Sequence, residues 1–251
     1  MNMEAVLRAA AWVEQHLTEP VGVEGMAAAA GYSLFHFSRM FNGLVQQPPY
    51  DYLLRRRLCE AARMLQNADV RAIDAAMRYQ FNSPEVFSRA FVRVIGETPS
   101  AWRLSGRVDA RRFLPPLTRE YLQVLQQQNE WQLKFERIEP AALNGSWTIY
   151  RYDREPQAFS AAAGEWLAMP EDAQILLRFS FAACLEEVDL VCRFLYHCWL
   201  PRAGYCPAGA ADWRRGSAEP ARQNDVLIPV RGNVKNRLTN TLTGKHLNFI
   251  I

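Results

Sequence analysis

Lysine is almost missing from this chain. Only Lys134, Lys235 and Lys245 occur, so arginine supplies 26 of the 29 basic side chains. Arginine's planar fork suits phosphate oxygens and the guanine edge. A GC-rich genome also favours arginine codons, and the bias alone does not separate the two readings. No run of 18 uncharged apolar residues exists, which argues against a membrane span. The N-terminus MNMEAVLRAAAWVEQHL has no basic leader, and Glu4, Arg8 and Glu14 interrupt its apolar stretch. It is not a signal peptide, and the chain reads as cytoplasmic with no membrane partner.

Cysteine is also sparse. Five is an odd number, which argues against a closed disulfide framework. Cys184, Cys192, Cys198 and Cys206 with His197 contain no C-x-x-C pair and match no zinc spacing, so no metal or other cofactor is implied. Cys198 beside His197 is a poor nucleophile–base pair, because neighbours on a helix point about 100° apart. The chain is therefore not read as an enzyme.

What is present falls into two halves. Residues 3–103 read as short helices. Val6, Ala9, Ala10, Val13 and Leu17 recur at helical spacing. Glu24–Ala30 is a short alanine-rich helix that Gly31 ends. Ser33 caps a helix carrying Phe35, Phe37, Met40, Phe41 and Leu44. A longer helix follows over Tyr50–Gln66. The arrangement then repeats, with Val70–Arg78 short and alanine-rich and Ser83 capping a helix to about Ile95. Phe37-Ser38-Arg39-Met40-Phe41 recurs as Phe87-Ser88-Arg89-Ala90-Phe91, 50 residues later. The serine caps share that offset, which marks an internal repeat.

A short helix, a turn and a capped second helix make a helix-turn-helix, whose second helix enters the major groove. Phe37, Phe41 and Leu44 can face inward, leaving Phe35, Ser38 and Arg39 outward. In the second unit Pro84, Glu85, Ser88 and Arg89 are outward. Arg39 can fork onto guanine, Phe35 can meet a thymine methyl, and Glu85 can accept from cytosine.

From about residue 104 the pattern changes. Leu104–Arg112 and Pro115-Pro116 read as a linker. Trp131–Ile138, Ser146–Tyr152 and Asp225–Val230 are strand-like, while Ala158–Leu167 and Leu185–Trp199 look helical. Gln174–Ala183 fits a strand or a buried helix. The expected fold class is an all-α N-terminal domain with two helix-turn-helix units (homeodomain-like), followed by an α+β C-terminal domain. The expected divisions are 1–105 for DNA binding, 106–130 as linker, 131–230 as the second domain and 231–251 as a basic tail.

Ala27–Gly31, Tyr32, Ser33, Phe37-Ser38-Arg39-x-Phe41, Tyr52, Arg56, Phe81, Ser83, Phe87-Ser88-Arg89-x-Phe91, Gly96, Pro99 and Trp102 together resemble the AraC/XylS family of transcription regulators, in the Rob-like branch with the DNA-binding domain first. The resemblance implies seven helices and two recognition helices in successive major-groove segments, about 34 Å apart. It places base contacts on Phe35, Ser38, Arg39, Pro84, Glu85, Ser88 and Arg89. Ser33 and Ser83, at helix N-termini, suit phosphate. The family favours glycine where this chain has Gln46 and Gln80. Either those turns are rebuilt or a glutamine there carries strain.

Leu195–Tyr205 and Asp225–Val230 resemble the end of a shortened GyrI-like effector-binding domain. That resemblance implies a small-molecule effector, lipophilic in character, with Trp199, Tyr205, Asp212 and Trp213 as its site. The expected function is a sequence-specific regulator binding double-stranded DNA and answering to an effector. The alternative makes the second half a protein-interaction module, with RNA polymerase as the partner.

Overall fold

The computed structural model describes residues 2–67, 69–106, 109–128, 130–139, 147–151, 157–161, 170–171, 173–209, 211–216 and 223–232. Seven helices come first: α1 (Met3–Gln15), α2 (Val23–Ala30), α3 (Leu34–Val45), α4 (Pro49–Met64), α5 (Ala72–Arg78), α6 (Pro84–Ile95) and α7 (Pro99–Ser105). After a single 3-10 turn at Ala110–Arg112 comes α8 (Arg119–Gln126). The strands are β1 (Lys134–Ile138), β2 (Trp147–Arg151), β3 (Gln157–Ala161), β4 (Ile175–Ala182), β5 (Tyr205–Pro207), β6 (Ala211–Gly216) and β7 (Gln223–Gly232). Between β4 and β5 run α9 (Val188–Phe194), a π-helical stretch Leu195–Trp199, and a last turn α10 (Leu200–Arg202).

The strands form one antiparallel sheet in the order β1-β4-β7-β6-β2-β3, with β5 also paired to β7. β4 alternates as a two-faced strand should. Phe179 and Phe181 join the main core together with Val226 and Ile228 of β7. Leu176 and Leu227 join a smaller cluster with Trp147, Ile149 and Trp213 on the opposite face. Pro229, which has no N–H to give a ladder, lies where the partner of β7 changes from β6 to β5.

Two expectations need correction. Residues 157–161, read as the start of a helix, are a strand paired antiparallel to β2. The alanines suggested a helix, but a tertiary partner decides a short segment. The rest of that expected helix, 162–167, lies outside the described residues. Strands β5 and β6 are new. The segment 106–130, expected as a linker, carries Leu114, Leu117, Tyr121, Leu122 and Leu125 in the main core. Of the expected tail, Arg231 and Gly232 belong to β7, and 233–251 lie outside the described residues.

The Arg55-Arg56-Arg57 run of α4 fastens three regions. Arg57 donates to the carbonyls of Leu17, Glu19 and Val21 after α1. Arg56 reaches both carboxylate oxygens of Glu14, Glu60, and the carbonyl of Leu114. Arg55 donates to the carbonyl of His197 at 3.2 Å. That carbonyl is four residues before Pro201, whose missing N–H cannot take it. The arginine satisfies what the proline leaves open.

The two glutamine turns are not rebuilt. Gln46 and Gln80 sit at φ 60° and 65°. Each is held by its own amide: Gln46 donates to Gly43 O and Gln80 to Thr18 O, at 3.0 and 2.7 Å. Gln80→Ala keeps the left-handed backbone and loses the bond, so it should cost about 0.5–1 kcal/mol. Gln80→Gly loses the same bond but relaxes the backbone, so it should be about 1 kcal/mol more stable than the alanine variant. Urea denaturation of the pair measures both terms, and an alanine variant as stable as the glycine one would refute the backbone strain.

Candidate nucleic-acid interface

The two recognition helices, α3 and α6, are built alike. Ser33 Oγ accepts from His36 N at 3.5 Å, and Ser83 Oγ accepts from Val86 N at 3.2 Å. In α3, Phe37, Met40, Phe41, Leu44 and Val45 are buried, and in α6, Phe87, Phe91 and Ile95 are. Phe37 and Phe41 have ring centroids 5.4 Å apart, and Phe87 and Phe91 5.3 Å, so the repeat extends to the packing. Phe41 continues onto Tyr52 of α4, as Phe91 does onto Trp102 of α7.

Packing that face leaves the other face in water. Phe35 is 79% exposed, an unusual place for phenylalanine in a lone surface helix. Arg39, Pro84, Glu85 and Arg89 are exposed, and Ser38 and Ser88 half-buried. Arg39 and Arg89 have no carboxylate within ion-pair distance among the described residues. Each unit therefore presents a serine and an unneutralised guanidinium from the same phase of its helix. Glu85 is held below the usual carboxylate range by the Ser83 hydroxyl first and by its own backbone amide next. The Ser83 hydroxyl thus already has a carboxylate for its proton. Val86, 42% exposed, and the exposed His36 stand 50 residues apart in the same first turns. The repeat offset would have flagged them, but Val86 reads as core by residue type.

The four residues expected to hold an effector do not converge. Trp199 is buried, packs edge-on against Phe179 and Phe135, and lies parallel to Tyr205 with centroids 6.5 Å apart. Asp212 is fully buried and accepts from the Tyr196 hydroxyl and from Arg214 Nε. Trp213, the next residue along β6, packs on the opposite face of the sheet with Trp147. Strand alternation separates these two neighbours. Burial pushes the Cys198 thiol up and the His197 imidazole down, so both are held neutral. Cys198 Sγ sits 3.8 Å from the Tyr121 hydroxyl. Among the described residues no helix is long and apolar enough to cross a membrane, and no cluster of three or more His, Cys, Asp or Glu could hold a metal ion.

Comparison with known proteins gives these observations a family. A family of helix-turn-helix domains matches residues 26–105. The transcriptional activator AarP of Providencia stuartii is 39% identical over 94 residues, covering 38% of this chain and 70% of AarP. The regulatory protein SoxS of Escherichia coli is 36% identical over 93 residues, covering 37% of this chain and 87% of SoxS. The regulator Rob of Salmonella typhimurium is 36% identical over 106 residues, and the chain spans only 37% of Rob's length. The DNA-binding domain of AdpA, solved with a target DNA, is 33% identical and covers 40% of this chain and 91% of that one, at a TM-score of 0.38. With its two capped helix-turn-helix units, the chain belongs to the AraC/XylS family of DNA-binding transcription regulators.

Proposed function

We propose that this regulator reads a bipartite site, with α3 and α6 in successive major-groove segments, and that its second half makes the binding answer to a small molecule. The supporting observation is the duplicated helix: Ser38-Arg39 and Ser88-Arg89 occupy one phase, outside two matched phenylalanine cores. Phe35, Ser38 and Arg39 read one segment, and Pro84, Glu85, Ser88 and Arg89 the other. Ser33 and Ser83 hold phosphates at the helix N-termini. In this reading residues 1–105 form the DNA reader, and the sheet with its helices forms the sensing half.

The expected result is a loss of about 1–3 kcal/mol at a selected operator for Arg39→Ala, with relaxed specificity in one half-site only. Arg89→Ala should relax the other. Selection of bound genomic DNA followed by fluorescence anisotropy on both variants tests this. Operator binding at wild-type strength by both variants would show that these arginines do not read bases. The alternative, an RNA polymerase-binding module without a small ligand, predicts instead that no small molecule stabilises the full chain.

A further inference from the structure

A cavity of about 260 Å³ opens where the DNA-reading half meets the sheet half. Its cationic wall holds Arg55 of α4, Arg93 near the end of α6, and Arg111 and Arg112 of the 3-10 turn. The last two have buried or half-buried counter-ions: Arg111 pairs with Asp109, and Arg112 with Glu97 and Asp109. Arg55 and Arg93 have no carboxylate within ion-pair distance among the described residues. Arg55 gives Nη1 to the His197 carbonyl, which fixes where its guanidinium points. Asp51 is the one carboxylate on the wall. Leu54, Val94 and Pro201, with the ring of Tyr205, supply an apolar side. Burial first, and the neighbouring Arg93 charge among the lesser causes, push the Arg55 pKa down, against the pull of Asp51. Two guanidiniums therefore crowd one space with too little negative charge.

From this we infer that the junction cavity binds a small phosphate monoester with an apolar body. Its oxyanion sits between Arg55 and Arg93, and its body lies against Tyr205 and Pro201. Guanidinium forks match phosphate oxygens in pairs, and a dianion answers two cations better than a carboxylate does. The inference rests on the reading of the second half as a sensor and moves the effector site from the four expected residues to the junction, with Tyr205 shared. Because Arg93 belongs to the second recognition helix and Arg55 to the helix between the two units, an occupant clasps α6 against α4 and sets how the two reading heads are spaced.

The test uses the full chain and phenyl phosphate as the probe, by titration calorimetry at fixed ionic strength. Inorganic phosphate, benzyl alcohol and hexanoate are the comparison ligands. Phenyl phosphate should bind at least tenfold tighter than any of the three. Arg55→Gln and Arg93→Gln should each weaken it tenfold or more, whereas Arg39→Gln on the DNA face should leave it unchanged. Arg93 is exposed, so its variant keeps the test decisive if Arg55→Gln fails to fold. Equal binding by the wild type and Arg93→Gln would overturn the inference, as would loss of the probe in Arg39→Gln or equal binding of benzyl alcohol. Bound probe should also shift wild-type DNA affinity threefold or more, and an unmoved affinity would overturn the regulatory role. These arms are independent of the operator measurements with Arg39→Ala and Arg89→Ala, so the failure of one reading is distinguishable from that of the other.

Discussion

Arg56→Met should remove about 3–5 kcal/mol of folding free energy, the usual cost of breaking a buried ion pair from one side. Arg56 is 2% exposed and sends its three nitrogens to Glu14, Glu60 and the Leu114 carbonyl. Removing it leaves Glu14 and that carbonyl facing an apolar methionine. Burial works against the charge of Arg56, but the Glu14 carboxylate outweighs it and holds the group more firmly protonated than free arginine. Arg56→Lys should recover little, because a single ammonium cannot serve three directions. Glu14→Gln added to Arg56→Met should recover part of the loss by removing the stranded charge. Urea unfolding followed by tryptophan fluorescence reads all three. A loss under 1 kcal/mol for Arg56→Met would mean that water replaces the guanidinium without penalty.

Asp109→Asn should have a comparable effect, about 3–5 kcal/mol, with a pH signature of its own. Asp109 accepts from Arg111 Nε and Nη2, from the Arg111 backbone amide, and from Arg112 Nε, at 2.8–3.2 Å. Arg111 in turn donates to the carbonyls of Gly209 and Ala211, and so fastens the sheet to the 3-10 turn. Burial raises the Asp109 pKa, but Arg111 and Arg112 more than reverse it, and the net shift is downward. A carboxyl lowered in the folded state contributes its full stability above its unfolded value near ~3.9 and loses it as pH falls through the folded value. The gap between wild type and Asp109→Asn should therefore be constant from pH 7 to 5 and close below about pH 4. A gap that closes instead toward alkaline pH would assign the stability to another group.

The DNA-reading half was legible because its rules are local. Serine caps, the Gly31 stop and the phenylalanine spacing act within a few residues, and their recurrence at 50 made each instance support the other. Gln46 and Gln80 were legible as departures, but not the carbonyls that hold them, since the Thr18 acceptor lies 62 residues from Gln80. The sheet half was harder. In β6 the charged Asp212 and Arg214 point inward and answer each other, so the usual polar-outward alternation reads backwards. In β3 the pairing with β2 overrides the alanines. The effector residues were chosen by type, and type does not reveal that Asp212 is spent on Tyr196 and Arg214.

The main core is undivided: Phe41, Leu44 and Tyr52 of the reading half lie in one cluster with Tyr121, Val191 and Leu195 of the other. A protein joined in this way has no seam at which to loosen. Heat should take both halves together, and whatever tightens on the sheet prolongs the life of the recognition helices. The sensing half is then more than a tether for an effector. It is the other wall of the reader, and every contact it gains or loses changes how firmly the two heads are aimed at DNA.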